Sequence, residues 1–172
     1  EILQMAMMAA AYSGDASLKD SVAAVNAADP SISGSRLLYR VRAGDNLSGE
    51  ELSSLANEAL NDKVTCRDIR SLMELTLDLP GGIMACQALA LRKSEPATVE
   101  LLHKALGNGD LRVQVEAARA LSRVGTADSV PLLVQKLPTC PWPVLVEVTS
   151  ALSAIPDKRS VSPLIARLKN EK

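Results

Sequence analysis

Aromatic side chains are nearly missing from this chain: among 172 residues there is no Phe, one Trp and two Tyr. A core without rings must be filled by Leu, Val, Ile and Ala. The 47% of residues that are hydrophobic are therefore small, strongly helix-forming aliphatics that let helices approach closely. Stacking platforms for single-stranded nucleic acid need aromatics and are not available. There is one His, His103, with no Ser or Cys beside it in a nucleophile motif, so Ser/His or Cys/His catalysis is not indicated. The three cysteines, Cys66, Cys86 and Cys140, form neither CxxC nor a Cys/His metal spacing. Their odd number does not make a disulfide framework. Cys66 and Cys86 read as small buried hydrophobes, or as a pair in an oxidising compartment, and Cys140, in Pro138-Thr-Cys-Pro141, as the exposed thiol. Long apolar runs are absent too. The longest, Met5 to Tyr12, is far short of the ~20 residues that cross a bilayer.

Large net charge is also lacking, at −1 overall. No global field draws the chain to a polyanion or to a membrane surface. The distribution is uneven: residues 1–80 carry 12 acidic and 7 basic side chains, residues 81–172 carry 8 and 12. The chain opens at Glu1, without an initiator Met, which reads as a processed form or an excised fragment. Cytoplasm is the favoured compartment, with periplasm the alternative after removal of a signal peptide.

What the chain does have is a repeat of 31 residues. Val99, Val130 and Val161 are spaced by this period, as are Leu102, Leu133 and Leu164, and Leu106, Leu137 and Leu168. Val113 pairs in the same way with Val144, Glu116 with Glu147, Ala120 with Ala151 and Leu121 with Leu152. A fixed period of this length means stacked supersecondary units.

Helix punctuation supports that reading. Ser48-Gly-Glu-Glu51 is a capping box opening a helix over 49–61. Thr65-Cys-Arg-Asp68 opens another over 66–78, which Pro80-Gly81-Gly82 breaks, and a third runs over 83–93. Pro96 starts a helix that Gly107 ends, Asp110 one that Gly125 closes, and Asp128 one that reaches Leu137. Pro141 and Pro143 open the next, to Ile155, and the last spans 159–170. Upstream, helices are predicted over 2–13, 16–28 (stopped by Asp29-Pro30) and 35–42. No segment alternates with period two, so no sheet is predicted. The count is one lone helix and five pairs, 16–43, 49–78, 83–106, 111–137 and 141–169.

The unit Asp110-Leu-Arg-Val-Gln-Val-Glu-Ala-Ala-Arg-Ala-Leu-Ser-Arg-Val-Gly125, followed by Val130-Pro-Leu-Leu-Val-Gln-Lys-Leu137, resembles the HEAT-like repeats. It is similar in particular to the short variety found in phycobilin lyase subunits and many bacterial repeat proteins. The copy at 141–168 keeps Pro163-Leu164-Ile165 and Ala151-Leu152 but has Pro141 for the capping Asp. The copy at 83–106 keeps Ala88-Leu89 with a one-residue slip. The resemblance implies an all-α, right-handed α-solenoid of stacked antiparallel helical hairpins. It would form one domain over 1–172, with clear repeats at 83–172, degenerate pairs at 1–80 and a polar cap at Arg167–Lys172. It also implies that the second helix of each pair lines the concave side.

On that side His103, Lys104, Gln135, Lys136 and Arg167 recur near equivalent positions and form a mildly basic ridge, a candidate site for an acidic protein segment. The alternative is an ordinary solvated stripe. Glu116 and Glu147 suit inter-repeat hydrogen bonding better than acid–base catalysis. Arg112, Arg119 and Arg123 lie along one side of a helix, set for solvent or for carboxylates of a neighbouring repeat. Trp142, in its Pro-rich turn, is predicted to pack between repeats or cover a loop. The function implied is non-catalytic protein binding on the concave surface, with no cofactor and no metal. Two other readings remain: a bilin-lyase-like subunit or chaperone, and a nucleic-acid-binding or cell-wall module. The last rests on Tyr39-Arg-Val-Arg-Ala-Gly-Asp-Asn-Leu-Ser48, which resembles the opening of a LysM module.

Overall fold

A computed structural model describes residues 2–25, 30–61, 81–92 and 94–169. All regular structure among them is helical: α1 (Ile2–Ser13), α2 (Lys19–Ala24), α3 (Pro30–Arg42), α4 (Gly49–Leu60), α5 (Gly81–Ala90), α6 (Pro96–Leu106), α7 (Leu111–Val124), α8 (Val130–Lys136), α9 (Trp142–Ala154) and α10 (Val161–Lys169). The helix predicted over 66–78, and with it Cys66, lies outside the described residues.

Local chemistry sets the ends. Ser48 accepts from the Glu51 amide while the Glu51 carboxylate accepts from the Ser48 amide, which closes the capping box on α4. Pro96 occupies the first turn of α6 and Gly107 ends it. Asp110 accepts from the Arg112 amide at 2.8 Å, and Arg112 turns its guanidinium back onto the same carboxylate, Nη2 to Oδ2 at 3.0 Å. Asp157 and Arg159 repeat this Asp-x-Arg cap before α10, and Arg159 also donates to the Ala127 carbonyl of the preceding hairpin. Asp128 departs from expectation: it sits inside a short 3₁₀ turn, Ala127–Ser129, that leads into α8.

Two upstream expectations are corrected. Pro30 begins α3, where its missing amide costs nothing, so that helix is longer than the predicted 35–42 and the one before it ends at Ala24. The first predicted pair also differs, while the second, 49–78, reaches outside the described residues. α3 pairs with α4, and α2 packs mainly on the turn before it, so 16–43 is no hairpin. Along the chain α3 packs on α4, α5 on α6 and α8 on α9, with α1 laid against α3.

α3 also packs directly on α5. Two glycines allow this. A Cβ on Gly34 would overlap the Gly81 carbonyl, and one on Gly82 would touch Val113 Cγ2 at 3.0 Å. Gly81 and Gly82 are thus buried helical residues at a close crossing.

The first helices, α3, α5, α7 and α9, form a row in continuous lateral contact. Small buried residues line its seams: Ala85, Ala88, Ala117, Ala118, Ala120 and Ala151. Of the second helices, α4 touches α6, whereas α6 leans on α7 and α8 on α9. The first helices form one row of the stack, the inner row, and the second helices the other, the outer row. One aliphatic core runs the length of the stack between the rows, from Met7 through Leu37, Leu89, Leu102 and Leu121 to Leu152.

Candidate partner-binding face

The inner row carries a hollow of about 260 Å³ lined from four helices: Tyr12 of α1, Arg42 of α3, Gln87 and Ala90 of α5 with Leu91 just beyond it, and Glu116, Arg119, Ala120 and Arg123 of α7. Helical spacing puts Glu116, Arg119 and Arg123 on the one face of α7 opposite its buried Ala117, Ala118 and Leu121. The Arg42 guanidinium lies 5.4 Å from the Tyr12 ring centroid and donates to the Tyr12 carbonyl at 2.8 Å. The Tyr12 hydroxyl donates to Gln87 Oε1 at 3.3 Å, which ties α1 to α5. Tyr12 and Leu91 remain about half exposed, at 46% and 51%, so an apolar surface stays open beside the arginines.

Arg119 bridges two repeats. It donates to Glu116 at 3.0 Å on its own helix and to Glu147 at 2.7 Å on α9. These are the carboxylates that recur at the repeat period: Glu147 makes the inter-repeat hydrogen bond and Glu116 pairs within its own helix. Burial pushes the Glu116 carboxyl up, against the pull of Arg119. The Glu147 hydrogen bond raises the Arg119 guanidinium further. Arg112 does not join this face, because it is folded back on Asp110.

The five residues expected to form a ridge belong to the outer row. The His103 ring lies 2.8 Å from Ser129 Oγ of the next hairpin, and burial holds its pKa below the usual histidine range. Lys104 donates to Asn57 and lines a hollow of about 320 Å³ between α4 and α6 with Ser53, Glu100 and Leu101. Gln135 is exposed. Lys136 and Arg167 are half-buried and converge electrostatically on the Cys140 thiol, at the far junction. Cys140 is itself half-buried, less open than predicted, and burial raises its pKa. Cys86 is a fully buried free thiol whose pKa burial also drives upward. Trp142 is 70% exposed and covers nothing.

Residues 82–150 match a family model described as HEAT repeats. The repeats within that stretch are HEAT repeats. The matched stretch runs from α5 into α9, so the inner row of these HEAT repeats holds both Leu91 and the Glu116–Arg119–Glu147 bridge. No curated protein matches the chain in sequence. The segment that resembles a LysM opening has no strand: Tyr39 to Arg42 are the last turn of α3, and Tyr39 is buried with its hydroxyl donating to the Asp15 carbonyl at 2.8 Å. Among the described residues no three His, Cys, Asp or Glu side chains are grouped to hold a metal ion. No described helix is long and apolar enough to cross a membrane.

Tyr12 and Arg42 were missed by sequence reading because they lie far up the chain from Leu91 and Arg123. The usable signal was the arginine spacing on α7 and the Ala-rich face behind it, which marks the row that packs closest.

Proposed function

We propose that this chain is a non-catalytic protein-binding scaffold, and that its partner seats on the inner row of first helices. One observation carries the reading: a single open hollow is floored by half-exposed Tyr12 and Leu91 and rimmed by Arg42, Arg119 and Arg123. Tyr and Arg around an apolar centre are the side chains that dominate the energetics of protein interfaces. The rigid Arg119 bridge between repeats holds the rim in place without occupying the floor. The outer-row lysines, by contrast, are engaged within the stack or spread over separate junctions.

The test is a pull-down with three proteins: the native chain, Leu91→Asp, and Lys104→Glu/Lys136→Glu/Arg167→Glu. A partner kept by the triple variant and lost with Leu91→Asp is the expected result. Loss with the triple variant alone moves the site to the outer row. No specific protein retained by the native chain sinks the scaffold reading.

A further inference from the structure

The inner hollow holds more positive charge than its own carboxylates neutralise. Arg119 is occupied by Glu116 and Glu147. Arg42 gives one N–H to the Tyr12 carbonyl, and among the described residues the remaining donors of its five-proton fork meet no carboxylate. Arg123 is exposed, one turn beyond Arg119, and makes no ion pair among the described residues. α5 lies between the helices that carry these two arginines and contributes Ala90 and Leu91 to the floor between them.

We infer that the hollow takes an extended acidic–aliphatic peptide segment that crosses the helices, with one carboxylate on Arg42, an aliphatic side chain against Leu91 and Tyr12, and a second carboxylate on Arg123. The spacing supports this. Packed helix axes sit 8–10 Å apart, so α3 and α7 on either side of α5 are separated by about 18 Å. That distance corresponds to about five residues of extended chain. Guanidinium forks with spare donors recognise carboxylates in bidentate fashion. A nucleic-acid backbone fits this face poorly, because Glu116 and Glu147 would oppose a continuous row of phosphates and ring-bearing platforms are scarce.

The inference rests on the inner-face reading, and one binding experiment separates the two. Fluorescence anisotropy is measured with a labelled peptide of about twelve residues carrying two Glu about five residues apart around a central Leu, a spacing set by extended-chain geometry. A twin with Lys for both Glu and a labelled single-stranded oligonucleotide serve as comparisons, against the native chain, Arg123→Glu and Leu91→Asp. Both positions are exposed, so neither variant threatens the fold, and circular dichroism checks that. The acidic peptide binds, and Arg123→Glu weakens it by roughly tenfold, the effect of losing one close charge pair at a binding surface. Leu91→Asp abolishes binding, and added salt weakens it.

Equal binding of the two peptides, or an unchanged affinity in Arg123→Glu, overturns the acidic assignment. If the Lys twin binds more tightly and still fails on Leu91→Asp, the inner face stands and only the partner chemistry falls. If neither peptide responds to Leu91→Asp, or the oligonucleotide binds best, both readings fall.

Discussion

The interior repeats and the last one use the same residues at the same positions with opposite outcomes. Val99 and Val130 are 5% and 0% exposed, whereas Val161, one period on, is 52% exposed. Leu106 and Leu137 are closed off at 0% and 3%, and Leu168 stands 71% open. In an interior unit the following hairpin covers these side chains, and beyond α10 the described residues provide none. Burial is thus a property of the junction between neighbours, as in a one-dimensional stack, and not of the repeat itself.

Truncating the equivalent leucines is the strongest way to break this contrast. Leu106→Ala is expected to cost about 4 kcal/mol, the range for emptying a sealed core position, and Leu168→Ala under about 0.5 kcal/mol, as for a surface change. Urea denaturation of the two variants checks it, and equal costs would mean that the end repeat is covered in solution. Next in size is the Gly34–Gly81 crossing of α3 and α5. Gly34→Ala should cost about 2–3 kcal/mol, because the added carbon meets backbone that cannot rotate away. The same change at Gly49, whose Cβ position is open, serves as the control.

The caps sharpen the comparison further. Asp110 caps α7 with its carboxylate, while Pro141 stands at the corresponding place before α9 with no side-chain bond. Asp110→Ala should lower stability by about 1–2 kcal/mol, and Pro141→Asp should raise it by about 0.5 kcal/mol if the end repeat accepts the same cap. Thermal melts of both variants measure this.

The smallest effect is at His103, which an interior junction buries against Ser129. Burial lowers its folded pKa, so the unfolded chain binds the extra proton first. Stability is therefore complete above the ordinary value of 6.5 and declines as pH falls from there toward the folded pKa. His103→Gln should flatten that decline in urea titrations run from pH 7 to 5. A slope equal to the native one would assign the acid limb to other groups.

Much of the architecture was legible. The Val and Leu positions at period 31 marked the sealed core of the interior units, and Ser48, Pro96, Gly107, Asp110 and Gly125 marked helix ends correctly because each acts through its nearest backbone neighbours. How closely successive helices approach was not legible from periodicity, because a buried stripe says only which side of a helix faces its neighbours. That distance is set across the stack by Ala117, Ala118 and Ala151, and by Gly34 against Gly81. The groove itself joins Tyr12 and Arg42 to Leu91 and Arg123, a juxtaposition made by α1 lying on α3 and α3 crossing α5, which no local pattern encodes.

The direct seat of α3 on α5 also has a kinetic meaning. From α5 onward each hairpin meets the one that follows it immediately in sequence, so the loops that must close are short. Gly34 reaches Gly81 only after the whole of α4 and the segment beyond it have been drawn in. Contacts of greater sequence separation carry a larger closure entropy and form later. On closure entropy alone, the contact of α3 with α5 is expected to form after the contacts between the C-terminal helices, so the hollow that Tyr12 and Arg42 complete is expected to assemble late.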